Sequence, residues 1–282
     1  MKAPPFAYAR AESLDDALAL LAETGEEAKP LAGGQSLLPL LAYRLLRPTH
    51  LVDLGGIDGL EHVEEDDDGG LTLGPLVRHA TLERRRLGLL GEAAAHVGHL
   101  PIRTRGTLGG SLAHADPAAE LPVAALALEA RLVLRSLDER RTVPAEEFFL
   151  GPFTTALATG ELIESVHVPA PPPGAAVAFE ELAVRAGDFA LAACAVVVAD
   201  GHARIALGGV GPAPLRAREA ERALAGAPLD DDAIDAAAAA AADECDPADD
   251  PRASAQYRRE LVAVLLRRAL RRARAVGGER GW

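Results

Sequence analysis

The spacing of apolar positions predicts a strand–helix–strand–helix–strand order for the first fifty residues of the chain. Ser13 and Asp16 are predicted to form a capping box that opens the first helix, which runs to about Leu21. Gly25 ends that helix, and Pro48 stops the second one. The predicted strands are 6–8, 29–31 and 51–54, and the second helix is 37–46. This alternation indicates an α/β unit with a glycine-rich turn between a strand and a helix.

Beyond this unit, the pattern predicts a hairpin, a helix and a proline-rich linker. The acidic run 64–70 separates two alternating segments and is typical of a solvated hairpin tip, and a helix is predicted near 87–99. The linker is 169–174. After it, strands are predicted at 175–184, 190–199 and 203–210, followed by three helical segments. The last segment, 257–275, is an amphipathic helix whose arginines form a face that is solvated or contacts a partner chain.

The composition narrows the class of protein. Hydrophobic residues make up 49% of the 282 positions, enough for a substantial core in one or two domains. A net charge of −13 argues against nucleic acid as a partner. Because the chain has no long uncharged apolar run and no apolar segment near its start, we expect no membrane span and a cytoplasmic location.

The two cysteines, Cys194 and Cys245, lie far apart and form no CxxC pair. Iron–sulfur clusters and structural zinc sites usually need four thiolate or imidazole ligands at close spacing. We therefore expect two buried or incidental thiols and no metal site on this chain.

The first candidate motif is the glycine-rich turn Ala32, Gly33, Gly34, Gln35 and Ser36. Paired glycines after a strand let backbone N–H groups approach a phosphate closely, and a serine at the start of the next helix can add a hydroxyl donor. Many turns contain two glycines, however, so a purely structural turn is at least as consistent with this motif alone.

The second candidate motif lies in 104–122, where glycines, hydroxyls, a histidine and two carboxylates are concentrated. So many small residues suit a backbone that closely follows a phosphate-bearing ligand, and acidic side chains suit its sugar hydroxyls. With the first loop, this segment could hold two sides of a dinucleotide pyrophosphate. His114 lies inside it, and either approaches the ligand or holds the loop.

Other nucleotide and hydrolase motifs are missing. The chain has no G-x-x-x-x-G-K-[ST] sequence, and the segment from Gly209 lacks the third glycine of G-x-G-x-x-G. No G-x-S-x-G elbow is present. His96 and His99 lack the further ligands of a zinc protease. We find no acid–base pair with convincing spacing, so no catalytic residue is assigned.

The two glycine loops resemble those that hold the FAD pyrophosphate in the medium subunit of the molybdenum hydroxylase family. The sequence around the second loop is more similar to the carbon monoxide dehydrogenase group than to the xanthine dehydrogenases. Further matches, in order along the chain, are 51–54, 149–155, 161–163, 185–190 and 254–259. The resemblance implies that FAD is bound by Ala32, Gly33, Gly34, Gln35, Ser36, Thr107, Leu108, Gly109, Gly110, Ser111 and Glu120.

Two positions depart from the family pattern. Glu120 stands where the family usually has an aspartate that contacts FAD, so the carboxylate is kept on a longer side chain. Glu181 stands where a lysine is common, so the role of that lysine is not carried over to this position.

The resemblance also implies an α+β fold. A two-lobed FAD-binding domain of the p-cresol methylhydroxylase type is expected over 1–172, with lobes at about 1–56 and 57–172. A smaller C-terminal domain, with a three-stranded antiparallel sheet and helices, is expected over 173–282.

The function implied by the resemblance is electron transfer. Substrate is oxidised at molybdenum on a large molybdopterin subunit, and electrons pass through iron–sulfur clusters on a small subunit to FAD on this chain. The complex is expected to be a dimer of heterotrimers. Three alternatives remain open at this point: a stand-alone FAD-dependent oxidoreductase, a flavin subunit of a xanthine dehydrogenase-type enzyme, and a non-catalytic nucleotide-binding protein.

Overall fold

The computed structural model describes residues 2–276. The predicted domains start at residue 1 and end at residue 282, so these two outer limits lie outside the described residues. The strands are β1 (Ala7–Arg10), β2 (Ala28–Leu31), β3 (His50–Asp53), β4 (Val63–Glu65), β5 (Leu71–Leu73), β6 (Arg131–Arg135), β7 (Arg140–Pro144), β8 (Phe149–Gly151), β9 (Thr154–Thr155), β10 (Leu162–Val168), β11 (Ala176–Ala183), β12 (Ala190–Ala199), β13 (His202–Gly208) and β14 (Leu215–Arg216). The helices are α1 (Leu14–Thr24), α2 (Leu37–Ala42), α3 (His79–Arg85), α4 (Gly88–His96), α5 (Leu100–Arg103), α6 (Leu108–His114), α7 (Glu120–Ala127), α8 (Ala145–Phe148), α9 (Arg218–Leu224), α10 (Asp231–Glu244) and α11 (Ala255–Val276). The α+β class is confirmed.

The first lobe is a parallel sheet in the order β1-β3-β2, with α1 packed on it. The Ser13 hydroxyl caps α1 by accepting from the Asp16 N–H, as predicted. The Asp16 carboxylate accepts from the Glu12 N–H at 3.0 Å. A capping box would use the N–H of Ser13 instead, so the donor is one residue earlier than predicted. The N–H of Gly25, at φ +59°, closes the helix on Leu21.

Two predicted helices are shorter than expected, because the backbone leaves the helical region early. The helix predicted over 37–46 ends at Ala42, since Arg44 adopts φ +59° and the chain turns back there. The helix predicted over 87–99 ends at His96, where Val97 is extended and Gly98 has φ +47°. In both cases, apolar spacing continued past the point at which the backbone turned.

The second lobe is a five-stranded antiparallel sheet in the order β4-β5-β10-β6-β7. The predicted acidic hairpin is present between β4 and β5, where the Asp66 N–H donates to the Gly70 carbonyl at 2.9 Å. Helices α4 and α7 pack together beside this sheet and supply much of its core.

The C-terminal part contains an antiparallel sheet in the order β11-β12-β13-β14. Its three long strands match the three-stranded prediction, and the two-residue β14 adds a fourth that is too short to give a pattern in the sequence. Helices α9 and α11 pack against one face of the sheet, and α10 packs on these two helices. Within residues 2–276, no helix has both the length and the apolarity to cross a bilayer.

The arginines of α11 differ from the predicted polar face at one position. Arg258 is 4% exposed and donates to the Gly209 carbonyl at 3.0 Å and to Asp250 at 2.7 Å. It therefore fastens α11 to the end of β13, and its place on a solvated or partner-facing surface was a wrong prediction. Others pair within the chain, such as Arg267 with Asp235.

The second face of the C-terminal sheet packs on the second lobe. Phe179, Ala195 and Ala206 belong to the same buried cluster as the apolar residues of α7. Strand β12 consequently has eight consecutive buried residues from its start. The segment 169–174 has no regular structure, as expected of a linker. Because the second lobe and the C-terminal part share a buried core, we expect them to unfold together. The boundary at 172/173 stays a prediction.

Because this core is shared, we expect Phe179→Ala to destabilise both parts together. Phe179 is 1% exposed, and its truncation should cost about 3–5 kcal/mol. Calorimetry should show one unfolding transition, moved to lower temperature. Phe189→Ala is the matched control because Phe189 is 54% exposed, and it should have little effect. Two transitions, with only one shifted, would contradict a shared core.

Candidate functional site

A cavity of about 910 Å³ brings the two glycine loops together. Its wall also includes the Gly187–Asp188–Phe189 turn of the C-terminal part. Ten of the eleven residues predicted to bind the cofactor form part of this wall: Ala32, Gly33, Gly34, Gln35, Ser36, Thr107, Gly109, Gly110, Ser111 and Glu120. Leu108 differs, because its side chain is fully buried in the core of the second lobe.

The two loops touch through their backbones. A Cβ atom on Gly33 would lie 2.1 Å from the Arg105 carbonyl oxygen, and one on Gly109 would lie 2.5 Å from the Pro75 side chain. Arg78 fixes the Arg105 carbonyl from the other side with a 2.6 Å hydrogen bond. At Gly33 and Gly109, glycine is thus required by neighbouring protein atoms, whereas the sequence had suggested close approach of a ligand.

The first loop lines the cavity with residues whose backbone donors are unused. Among the described residues, the N–H groups of Gly33, Gly34, Gln35, Ser36 and Leu37 have no hydrogen-bond acceptor. Gly34 has φ +72°, and the Gln35 side chain donates to the Gly33 carbonyl at 3.0 Å, which shapes the loop from within. Successive unpaired N–H groups form a concave site suited to an anion such as phosphate.

In the second loop, in contrast, the backbone donors from Leu108 to Ser111 are already used. The N–H groups of Leu108 and Gly109 donate at 2.8 Å to the carbonyls of Val77 and Pro75. The N–H of Gly110 donates to the Thr107 hydroxyl at 3.1 Å, which caps α6. This loop is therefore a rigid wall opposite the donor row, and the two loops have different roles that their similar sequences do not reveal.

A buried histidine, His79, supports the second loop. Its Nε2 lies 2.8 Å from the Thr107 carbonyl, which fixes the N–H on that nitrogen. Burial lowers the pKa of His79 to about 4, so the ring is neutral at physiological pH. Sequence reasoning missed this residue, since a single histidine at the start of a helix gives no distinguishing signal.

Both alternatives that the sequence left open for His114 stay predictions. His114 lines the cavity, and its ring also packs at 5.1 Å from the ring of Phe153. Burial lowers the pKa of His114, which favours the neutral form in the cavity wall.

Two glutamates in the wall have opposite surroundings. Glu161 accepts two hydrogen bonds from Arg141 at 2.8 and 2.7 Å, and this pairing lowers its pKa. Glu120 is 5% exposed, and among the described residues no lysine or arginine pairs with it. Burial, with the charge of Glu181 second, raises the pKa of Glu120 to about 8. The Arg141–Glu161 pair was also missed from sequence, because its partners are distant along the chain.

A large cavity lined by a row of unused backbone donors and by a rigid glycine loop is typical of a nucleotide-cofactor-binding protein. The chain matches the FAD binding domain in molybdopterin dehydrogenase over residues 4–171 and the CO dehydrogenase flavoprotein C-terminal domain over residues 177–273. It belongs to the FAD-binding subunits of the molybdenum hydroxylase family, and its cofactor is FAD.

Individual relatives match along nearly the whole chain. The 6-hydroxypseudooxynicotine dehydrogenase complex subunit alpha of Paenarthrobacter nicotinovorans is 43% identical, over 97% of this chain and 96% of its own. The carbon monoxide dehydrogenase medium chain of Hydrogenophaga pseudoflava is 38% identical, over 95% and 96%. A solved structure of carbon monoxide dehydrogenase from the same organism, lacking the Mo-pyranopterin moiety, superposes with a TM-score of 0.94 at 40% identity, covering 99% and 100%.

We expect Gly34→Ala to weaken FAD binding about tenfold. A side chain at φ +72° costs about 1 kcal/mol or more and rotates the donor row. Gly59→Ala is the control, because Gly59 also has positive φ, with no atom within 4 Å of an added Cβ and no place in the cavity wall. Both variants should lose stability, and Gly34→Ala somewhat more, because its Cβ would also lie 3.1 Å from the side chains of Leu31 and Leu38. Equal FAD dissociation constants, measured by fluorescence titration, would contradict the assigned donor row.

Glu120→Gln should remove a pH-dependent loss of stability. An unfolded glutamate loses its proton near pH 4.5 and folded Glu120 near pH 8, so the free energy of unfolding falls across this window as pH rises. Above pH 8 the variant should be more stable than the wild type by a few kcal/mol at most, and near pH 4.5 the difference should vanish.

Glu161→Gln is the control for this measurement, because its effect on stability should depend on pH in the opposite direction. Because the pKa of Glu161 is lowered, its loss should reduce stability at neutral pH and matter less in acid. Parallel melting-temperature curves for wild type and Glu120→Gln from pH 4.5 to 9 would show that Glu120 is not held protonated.

Proposed function

We propose that this chain is the electron-transfer subunit of a molybdenum hydroxylase of the carbon monoxide dehydrogenase type. It holds FAD, receives electrons from iron–sulfur clusters on a small partner subunit, and releases them to an external acceptor. A large molybdopterin subunit oxidises the substrate, and the complex is a dimer of heterotrimers. The observation that carries the proposal is the unpaired donor row of Gly33–Leu37 facing the cavity opposite the glycine wall.

When bound, FAD supplies a group that accepts electrons singly and gives them up as a pair. The residues of this chain bind and orient it. The donor row fits the pyrophosphate, and the Thr107–Ser111 turn closes the opposite side. The cavity wall also excludes water with the apolar side chains of Leu54, Leu76, Leu162 and Ile163.

The relatives support a role in electron transfer rather than substrate recognition. Two subunits of similar identity to this chain, at 43% and 38%, belong to enzymes named for 6-hydroxypseudooxynicotine and for carbon monoxide. One substrate is a large organic molecule and the other is diatomic. A fold that stays constant across such different substrates is expected where the substrate binds on another subunit.

Removal of FAD from the native complex tests this function. We expect the purified complex to contain this chain with molybdenum- and iron-bearing subunits and to show flavin absorbance near roughly 450 nm. After FAD is removed, substrate should still reduce the iron–sulfur clusters, but electrons should no longer reach the external acceptor. Added FAD should restore transfer.

Two outcomes would contradict the proposal. One is a deflavo complex that reduces the external acceptor at the original rate. The other is a yellow isolated chain that oxidises a substrate without partners, which would favour a stand-alone oxidoreductase.

A further inference from the structure

Glu120 is a buried acid in the proposed FAD cavity, and within residues 2–276 no lysine or arginine pairs with it. It begins α7 and lines the cavity, and no hydrogen bond to its side chain joins it to another described residue. In the same wall, Glu161 has the opposite arrangement, with Arg141 and the Ala158 N–H both donating to it. An uncompensated buried carboxylate is costly, and such groups keep their proton.

A second buried acid, Glu181 on β11, is the charged group that most strongly raises the pKa of Glu120. One carboxylate oxygen of Glu181 is 3.2 Å from Nδ1 of His96, and its side chain is 6% exposed. The other oxygen is buried and has no partner among the described residues. An orphaned carboxylate oxygen needs a proton donor, and Glu120, which lies within reach of the Glu181 charge, can supply one when it is protonated.

His96 connects this pair with solvent. It ends α4, its side chain is 40% exposed, and its ring packs at 5.4 Å from the ring of Phe179. The hydrogen bond with Glu181 raises the pKa of His96. Imidazole can take a proton at one nitrogen and release one at the other, so its position between solvent and a buried carboxylate suits proton exchange.

We propose that Glu120, Glu181 and His96 form one proton-sharing cluster, which holds a proton on the Glu120 carboxyl in the wall of the FAD cavity and exchanges it with solvent through His96. Glu120 then presents a neutral carboxyl to the cavity rather than a negative charge. The inference rests on the proposed FAD function, but it concerns the protonation of this chain's own residues and the route by which it changes.

The charged groups around the cluster set the direction in which the pKa values of Glu120 and His96 shift. Glu181 on β11 and Asp116, before α7, raise the pKa of Glu120, and His96 on α4 lowers it. Glu180 also acts on His96, but Arg272 of α11 pairs with it at 2.9 Å. Glu92 of α4 pairs with the same arginine.

The test is FAD affinity as a function of pH, measured by fluorescence titration of the isolated full-length chain from pH 6 to 9.5. If FAD binds the form with protonated Glu120, the dissociation constant should be about tenfold higher at pH 9 than at pH 6.5. Glu120→Gln should bind at all pH values like the wild type at pH 6.5. Glu161→Gln, altered in the same wall, should keep the wild-type midpoint.

Variants of Glu181 and His96 test whether these residues share the proton with Glu120. Glu181→Gln removes a like charge and should move the midpoint to lower pH, while His96→Gln removes a cation and should move it to higher pH. Infrared spectra of the chain without FAD at pH 7 should show a protonated carboxyl band that Glu120→Gln lacks. A merely structural role for Glu181 or His96 would change affinity equally at all pH values.

The outcomes separate the two proposals. Absence of FAD binding at every pH would contradict the function proposed for the chain. Normal FAD binding with a pH-independent dissociation constant, or an unchanged midpoint in both Glu181→Gln and His96→Gln, would overturn the proton-sharing cluster and leave FAD binding intact.

Discussion

Direct backbone contact between the two glycine loops is the constraint on which the cavity depends. The first loop belongs to the parallel lobe and the second to the antiparallel lobe, and they meet where Gly33 approaches the Arg105 carbonyl. No larger residue fits there without moving one lobe. The contact sets the separation between the donor row and the opposite wall. Arg78 and His79 hold the second loop in place through the Arg105 and Thr107 carbonyls, so the wall is fixed before any ligand arrives.

The shared core extends this rigidity to the C-terminal part. Helix α7 packs on the second face of the C-terminal sheet, and it carries Glu120 at its first turn. The turn around Phe189 reaches the cavity from that same sheet. The site is therefore built by both matched domains rather than by the FAD-binding domain alone. Glu120 and Glu181 come from opposite sides of this packed interface, which explains how the charge of Glu181 raises the pKa of Glu120.

Much of the fold and the location of the site could be predicted from the sequence, because they depend on local patterns. Strand alternation, the Gly25 helix end and the two glycine loops all leave short-range signals. The differing use of backbone donors in the two loops could not be predicted, since the acceptors at Pro75 and Val77 are set by tertiary packing. The burial of Arg258 and the pairing of Arg141 with Glu161 depend on distant contacts in the same way.

The most direct measurement of the central claim is a crystal structure of this chain with FAD bound. The account predicts pyrophosphate oxygens within about 3 Å of several N–H groups of the Gly33–Leu37 row, with the backbone hydrogen bonds of Leu108, Gly109 and Gly110 unchanged. A pyrophosphate held instead by the Thr107–Ser111 turn, with the first loop left facing water, would contradict it.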